Sequence, residues 1–520
     1  MAAQMKYPVG IQHFPDIITG GYAYIDKTKY IRSLENRGKY CFLSRPRRFG
    51  KSLFLTTLEA YFEGKRELFR GLAIDRDDVD WRPRPVIKLS LNTIECKSEE
   101  SLATALRSKL RDYEEIYSIP DYGDGIPQRL ERILKTAHEK TGRKAAVLID
   151  EYDAPLLATL EDDALNHAFR EILKPLFSVL KTADSHIHFA FITGVSRFSH
   201  TSLFSGANNL EDISLHDEYS AICGITEDEI RENLMTGIQD FAENAGISIE
   251  ETLAKLKENY DGYHFSPASR DIYNPYSLLL ALSARKISNY WFSSGTPSYL
   301  IAALKRDNFY LPQLDCLDAV ESDLSAYESY LGNPVALLYE SGYVTIKDYD
   351  DDSGIYTLAL PNHEVATSFS EALLPIYSCW DPESCRQSFV SMRKAVFGGD
   401  ADGFMRHLQT FLEGNPYSNS ELAKRETYFK TNIFLVLKAL GFTPHAEEQT
   451  CRGRIDVMLR TRRFIFIFEL KTDGDLRKAL QQIDDRGYTL PYADEQRRII
   501  RIAASYDSSR NNIGSWTVAE

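Results

Sequence analysis

Gly50-Lys51-Ser52 follows a short apolar run, Tyr40 to Leu43, and opens an apolar stretch that continues to about Phe62. A buried strand, a compact basic loop and a helix start, taken in that order, form a cradle for phosphate. Backbone N–H groups and the positive end of the helix dipole both face the anion. Lys51 would then reach the β- and γ-phosphates of a nucleotide such as ATP, and the Ser52 hydroxyl would ligate Mg2+. Arg48, Phe49, Gly50 and Leu53 are the loop and first-turn residues that would wrap such a ligand. The pattern G-x-x-x-x-G-K-[ST] is incomplete here. Its first glycine falls at Arg45, and Pro46 removes one N–H from the loop.

Ala145-Ala-Val-Leu-Ile149 runs directly into Asp150 and Glu151. Apolar residues ending in two acids read as a fully buried strand with carboxylates at its C-terminal end. In such a sheet the first acid holds Mg2+ through water, and Glu151 polarises the attacking water. The expected neighbour of this strand is the phosphate-loop strand itself. A third strand, Ile187 to Thr193, leads into Thr193-Gly-Val-Ser-Arg-Phe198 at the edge that bears ligands in parallel sheets. There Thr193 or Ser196 would sense the γ-phosphate and Arg197 would approach a phosphate. Hydroxyls and arginines also occur at strand ends for turn and surface reasons.

Far along the chain, Gly453-Arg-Ile-Asp456-Val-Met-Leu459 and Phe464-Ile-Phe-Ile-Phe-Glu469-Leu-Lys471 read as two apolar strands joined by a short link, a hairpin. Glu469 and Lys471 are two apart and share a face. A turn centred on Arg462 and Arg463 sets Asp456 directly across from Glu469. Charges on that face of a greasy hairpin are costly unless they bind a metal or one another. Two carboxylates so placed would hold Mg2+, or Mn2+, which hard oxygen ligands also accept. Lys471 would orient a water or stabilise charge developing on a phosphodiester. A plain same-face ion pair of Glu469 and Lys471 is the competing reading.

The elements that must hold these groups alternate in type. Pro85 to Leu91 alternates as a strand, while Ser98 to Glu115, Pro127 to Lys140 and residues 162–182 have helical periodicity. Strands alternating with helices predict a mostly parallel sheet covered on both faces. Thr226-Glu-Asp-Glu229 is a capping-box pattern. It opens two amphipathic helices, separated at Asn244-Ala-Gly246, that suit a helical lid. The aromatic stretches Tyr260-Asp-Gly-Tyr-His-Phe265 and Tyr273-Asn-Pro-Tyr-Ser277 read as packed turns, with His264 a packing histidine. Pro297 to Leu331 looks helical. Tyr343 to Lys347 and Tyr356 to Leu360 form a hairpin through an Asp-rich tip, so the region resembles a winged helix. Four aspartates at that tip disfavour phosphate contact and suggest a spacer. Glu426 to Leu440 is a strong amphipathic helix ended by Gly441.

At 520 residues the chain exceeds one hydrophobic core, and two to four domains are expected. Its 43% hydrophobic and 26% charged residues are ordinary for a soluble globular protein. No apolar run reaches the roughly 18 residues that span a bilayer, and the first residues lack an apolar signal core. Seven cysteines, scattered and without a C-x-x-C pair, point to reduced thiols in the cytoplasm. The net charge of −14 is uneven. Residues 1–384 hold 40 Lys and Arg against 58 Asp and Glu, whereas residues 385–520 hold 21 against 17. A polyanion is therefore expected at the C-terminal part.

Arg45-Pro-Arg-Arg-Phe-Gly-Lys-Ser52, Leu148-Ile-Asp-Glu-Tyr-Asp153, Asn259-Tyr-Asp-Gly-Tyr-His-Phe265 and Tyr273-Asn-Pro-Tyr-Ser277 resemble the bacterial AAA-ATPase-like family, whose members commonly carry a C-terminal PD-(D/E)XK nuclease-like domain. The resemblance implies an α/β fold of four parts. These are a P-loop parallel-sheet ATPase core (1–220), a helical lid (221–300), a winged-helix-like middle module (301–384) and a restriction-endonuclease-like domain (385–520). It makes Arg45 part of the family's own loop and Asp26-Lys27-Thr28 a recurrent lead-in beside the nucleotide. It matches Glu447 to an acid ahead of Gly453-Arg-Ile-Asp456, and Gln482 and Tyr488 to a Q-x5-Y helix. The implied function is ATP binding and hydrolysis controlling a metal-dependent nuclease, with DNA favoured over RNA and a homo-oligomer left open. The alternative is an ATP-driven switch or assembly ATPase whose C-terminal module binds without cutting.

Overall fold

The N-terminal sheet is built from β1 (Tyr40–Ser44), β2 (Val86–Ser90), β3 (Ala145–Asp150), β4 (Ile187–Gly194) and the short β5 (Glu211–Asp212), all parallel, in the order β2-β3-β4-β1-β5. The expected adjacency of the phosphate-loop strand and the acidic strand is corrected: β4 runs between them. Burial explains the order. β4 is apolar and buried along nearly its whole length, so it needs partners on both edges. β2 alternates between buried and half-buried positions, which suits an edge strand. Helices Lys51–Phe62, Glu99–Ile116, Ile126–Thr141 and Asp163–Thr182 cover the sheet. Ser98 caps Glu99–Ile116 in a reciprocal box with Ser101.

This computed structural model describes residues 5–77, 79–92, 94, 97–197, 203–204, 209–292, 298–306, 309, 311–325, 334–377, 382–413, 426–450, 453–492, 495–507, 509–510 and 512–519. They divide into two compact units, one of residues 1–295 and 317–362, the other of residues 296–316 and 363–520.

Within the first unit, residues 226–260 form three helices rather than the expected two: Glu227–Asn233, Met235–Ala245 and Ile249–Tyr260. Leu234, buried and at φ −120°, breaks the helical path after the first. Together with Pro275–Ala284 they enclose a core of Ile230, Ile238, Leu256, Tyr260 and Leu278. The helical expectation over residues 297–331, of which 297–316 belong to the second unit and 317–331 to the first, is also corrected. A helix spans Ser298–Arg306, a short 3-10 turn holds Pro312, and Leu317–Ala319 is a strand, β6. Pro312 bars a continuing helix, and the alternation of Leu317 and Ala319 buries one face of a strand. β6 pairs with β8 (Ile355–Ala359), which pairs in turn with β7 (Thr345–Asp350), giving an antiparallel sheet in the order β6-β8-β7.

The second unit is organised on the sheet β13-β12-β11-β10-β9, where β9 is Pro444–Thr450, β10 Gly453–Arg460, β11 Phe464–Thr472, β12 Arg498–Asp507 and β13 Asn512–Ala519. Only the β11–β12 pair is parallel, and helix Leu476–Asp485 connects those two strands. Ile455, Met458, Ile465, Ile467, Ile483 and Tyr488 form its core. Helix Glu426–Ala439 packs on β9, β10 and β11 and against helix His363–Tyr377. Among the described residues, no helix is long and apolar enough to cross a membrane.

Candidate active sites

The phosphate loop leaves β1 at Ser44. Arg45 turns inward, 2% exposed, and donates to the carbonyls of Ser44 (2.8 Å), Ser214 (2.8 Å) and Tyr219 (3.0 Å). Its guanidinium lies 4.3 Å from the Phe265 ring centroid. The arginine at the first glycine position thus fastens the loop to the sheet. The left-handed positions pass to Arg48, at φ 70°, and Gly50, at φ 99°. Helix Lys51–Phe62 starts at Gly50 with no side chain capping it. Its first-turn N–H groups are the donors an anion takes at a helix start.

The aromatic motifs surround this loop. Phe49 meets Tyr263 and Phe265 edge-on at 4.8 and 5.3 Å, and its carbonyl accepts from the Gly224 N–H at 3.0 Å. Arg48 stacks on Tyr276 at 4.9 Å, and the Trp291 indole donates to the Arg47 carbonyl at 3.1 Å. His264 faces Asp271, with Nε2 2.6 Å from Oδ1.

Lys51 is buried and donates to the carbonyls of Arg45 at 2.7 Å and Pro46 at 2.9 Å. Burial pushes its ammonium below the usual lysine range, against the pull of Glu151, Asp150 and Asp153. Asp150 accepts the Thr193 hydroxyl proton at 2.7 Å, and Asp153 accepts from the N–H groups of Val195 and Ser196 and from the Ser196 hydroxyl. Both candidate sensing hydroxyls therefore face carboxylates of the β3 end. Glu151 sits at φ 49°, a conformation costing roughly 1–3 kcal/mol and concentrated at functional sites. Burial raises its carboxyl above the ordinary value, with Lys51 opposing. Arg197 does not point freely into the loop. Its Nε donates to Asp212 at 2.9 Å, and its N–H donates to Glu340 at 2.8 Å. Ser52 and Leu53 occupy the first turn of the helix, and Leu53 lines an adjoining cavity of about 80 Å3 together with Tyr24, Ile25, Ile222 and Leu234. Beside it, Asp26 accepts from the Thr28 N–H, and Lys27 is paired with Glu229 at 2.6 Å.

In the second unit, β10 and β11 pair as Val457↔Phe468 through Arg460↔Ile465, so the next step of that register sets Asp456 opposite Glu469. The β9–β10 pairing, Ile455↔Glu448 and Val457↔Ala446, likewise sets the backbone of Glu447 opposite Asp456. The side chain of Glu447 lies outside the described residues. Asp456 Oδ2 accepts from the Leu470 N–H at 2.8 Å, and Glu469 Oε1 accepts from Lys471 Nζ at 2.8 Å. Burial pushes the Glu469 carboxyl up, Asp456 adds to the push, and Lys471 opposes it. Glu469 Oε2 is buried without a hydrogen-bond partner. That is a costly state for a carboxylate oxygen, and a hard divalent cation relieves it. The donor set therefore fits Mg2+ or Mn2+. Gln482 is half-buried on helix Leu476–Asp485, and Tyr488, just past its end, donates to the Arg454 carbonyl at 2.8 Å.

Sequence reasoning missed one member of this cluster. Lys430, on helix Glu426–Ala439, places Nζ 2.6 Å from Asp456 Oδ1. The available signal was a lysine among Phe429, Ile433 and Phe434, all buried on that helix.

Two family models match the chain: one described as a predicted AAA-ATPase over residues 8–204, the other as the PD-(D/E)XK nuclease superfamily over residues 424–516. An uncharacterized protein in the vnfD 5' region of Azotobacter chroococcum mcd 1 is 34% identical over 525 residues, covering 99% of this chain and 99% of that one. With the loop on a parallel sheet in one unit and the carboxylate pair on a mixed sheet in the other, the chain belongs to the AAA-ATPase-like family, in the form that carries a C-terminal PD-(D/E)XK nuclease-superfamily domain.

Proposed function

We propose that this protein binds and hydrolyses ATP in its N-terminal part and uses that cycle to control a metal-dependent nuclease in its C-terminal part, acting on DNA in preference to RNA. In this reading residues 1–220 form the nucleotide core, 221–300 a helical lid, 301–384 a winged-helix-like spacer and 385–520 the nuclease. One observation carries it: Asp456 and Glu469 stand opposite each other on neighbouring strands, buried, with Lys471 on Glu469 and an oxygen of Glu469 unmatched.

At the loop, the Lys51 ammonium is the charge matched to the β- and γ-phosphates. Ser52 and Asp150 would hold Mg2+, and Thr193 keeps Asp150 oriented through its hydrogen bond. Glu151, with a carboxyl raised by burial, takes a proton from the attacking water. The small apolar cavity beside Leu53 adjoins the helix start. Arg197 holds Asp212 through Nε, so an approach to a phosphate would use its terminal nitrogens.

At the C-terminal site, Asp456 and Glu469 would hold Mg2+ or Mn2+, which polarises a phosphodiester and supplies a nucleophilic water when bound. Lys471 stabilises charge developing on the phosphate. Glu447 shares their row of the sheet, and Gln482 borders it from the following helix. A second reading, an ATP-driven switch whose C-terminal domain binds without cutting, is favoured by the two lysines already paired with the two carboxylates. Cleavage of single- and double-stranded DNA and RNA with Mg2+, with and without ATP, tests the proposal. Cutting of any of them supports it, and intact substrates alongside normal ATP hydrolysis favour the switch.

A further inference from the structure

We propose that Lys430 is a built-in counter-cation of the C-terminal carboxylate site. It occupies Asp456 Oδ1 until a divalent ion displaces it, and so sets that ion's affinity. The inference rests on reading Asp456 and Glu469 as a metal site. The bonds at the cluster single out which oxygens are open to metal. Asp456 Oδ2 is taken by the Leu470 N–H and Glu469 Oε1 by Lys471, which leaves Asp456 Oδ1 and Glu469 Oε2. Glu469 Oε2 is unmatched, while Asp456 Oδ1 carries the Lys430 ammonium at 2.6 Å. A cation held by these two carboxylates would compete with the Lys430 ammonium at Oδ1.

Charge agrees with this role. Among the described residues two ammoniums stand against two carboxylates, and both side chains of the Lys430–Asp456 pair are about nine-tenths buried. A divalent ion must compete with a fixed positive charge, and the displaced lysine remains tethered nearby on helix Glu426–Ala439. A lysine that merely pins this helix to the sheet would add stability and leave metal affinity unaltered.

The test is titration calorimetry of the full chain with Mn2+ in the absence of nucleotide. Asp456→Ala serves as the blank that removes heat arising at the phosphate loop. Lys430→Met keeps the length of the side chain and removes its charge. It should bind Mn2+ about tenfold or more tightly, the scale at which a close buried charge pair couples. Lys430→Arg should stay near wild type. Asp456-dependent binding of equal strength in wild type and Lys430→Met overturns the role of Lys430 and leaves the metal site standing. No Asp456-dependent binding in either protein overturns the metal site itself, and the inference with it. Should Lys430→Met fail to fold, amine acylation of the wild type decides. Reactivity of Lys430 that rises with Mn2+ supports displacement, and reactivity indifferent to Mn2+ rules it out.

Discussion

Arg45 lies on the face of Phe265, 4.3 Å from guanidinium carbon to ring centroid, and joins the phosphate loop to an aromatic turn more than two hundred residues further on. The same turn presses Tyr263 and Phe265 against Phe49, two residues before Lys51. In a G-x-x-x-x-G-K-[ST] loop, backbone freedom at the first glycine helps shape the cradle. Here a buried arginine and an aromatic wall hold the shape from outside the loop. The motif that looked like a packed turn is packing, and what it packs is the loop.

Phe265→Ala should therefore act in two ways. Losing a buried aromatic costs about 3–5 kcal/mol of stability, read as a lower unfolding midpoint in denaturant. It should also weaken ATP binding measured by calorimetry under conditions where the variant is folded. Reduced stability with unchanged ATP affinity would mean the loop keeps its shape without its aromatic wall.

Lys51→Ala should abolish tight ATP binding, because it removes the charge matched to the β- and γ-phosphates. Glu151→Gln should bind ATP normally and lose turnover by roughly 10²- to 10⁴-fold, the range of a general base. Calorimetry with a phosphate-release assay separates the two. Unchanged hydrolysis in both variants sinks the ATPase assignment.

Much of this was legible in advance because it depends on local pattern. The turn around Arg462 and Arg463 determines the β10–β11 register, so Asp456 opposite Glu469 could be counted from the chain. Strand order was not local. β4 between β1 and β3 reflects competition among three apolar strands for central places, and no short window carries that information. Lys430 was missed, and the partners of Arg45 were not foreseen, for a related reason. A buried charge is defined by the partner it finds, here Asp456 in one case and the carbonyls of Ser214 and Tyr219 in the other. Arg197 shows the reverse. Its position at a strand end was legible, but its Nε bond to Asp212 was not.

His264 and Asp271 make a pH-dependent clamp on the aromatic turn. Burial works against ionising Asp271, but His264 and Lys257 outweigh it and hold its carboxyl below the usual range. A carboxyl whose folded pKa is depressed contributes stability above its unfolded value, about 3.9. That contribution is lost as pH falls through the lower folded value. Asp271→Asn should therefore lower the unfolding midpoint at pH 6 and converge on wild type as pH drops below about 4. A difference that persists undiminished at pH 2 would show that Asp271 acts through packing.

The C-terminal site makes the sharpest claim. Asp456→Ala or Glu469→Ala removes a carboxylate that the metal needs, so each should abolish cleavage at any practical Mg2+ or Mn2+ concentration. Each also removes a carboxylate that a lysine binds, Lys430 in the first and Lys471 in the second, so some loss of stability accompanies the loss of activity. Unfolding curves must therefore be recorded beside the cleavage assay. Lys471→Ala differs in kind. It spares both carboxylates and removes a competing cation, so metal binding should persist or tighten while the cleavage rate falls about 10²-fold or more, as when a group stabilising transition-state charge is deleted. ATP hydrolysis should survive all three changes, since Lys51, Asp150 and Glu151 stand in the other unit. Cleavage that persists in Asp456→Ala would locate the chemistry elsewhere. Equal loss of metal binding and rate in Lys471→Ala would make that lysine a prop for Glu469 and not a participant in the reaction.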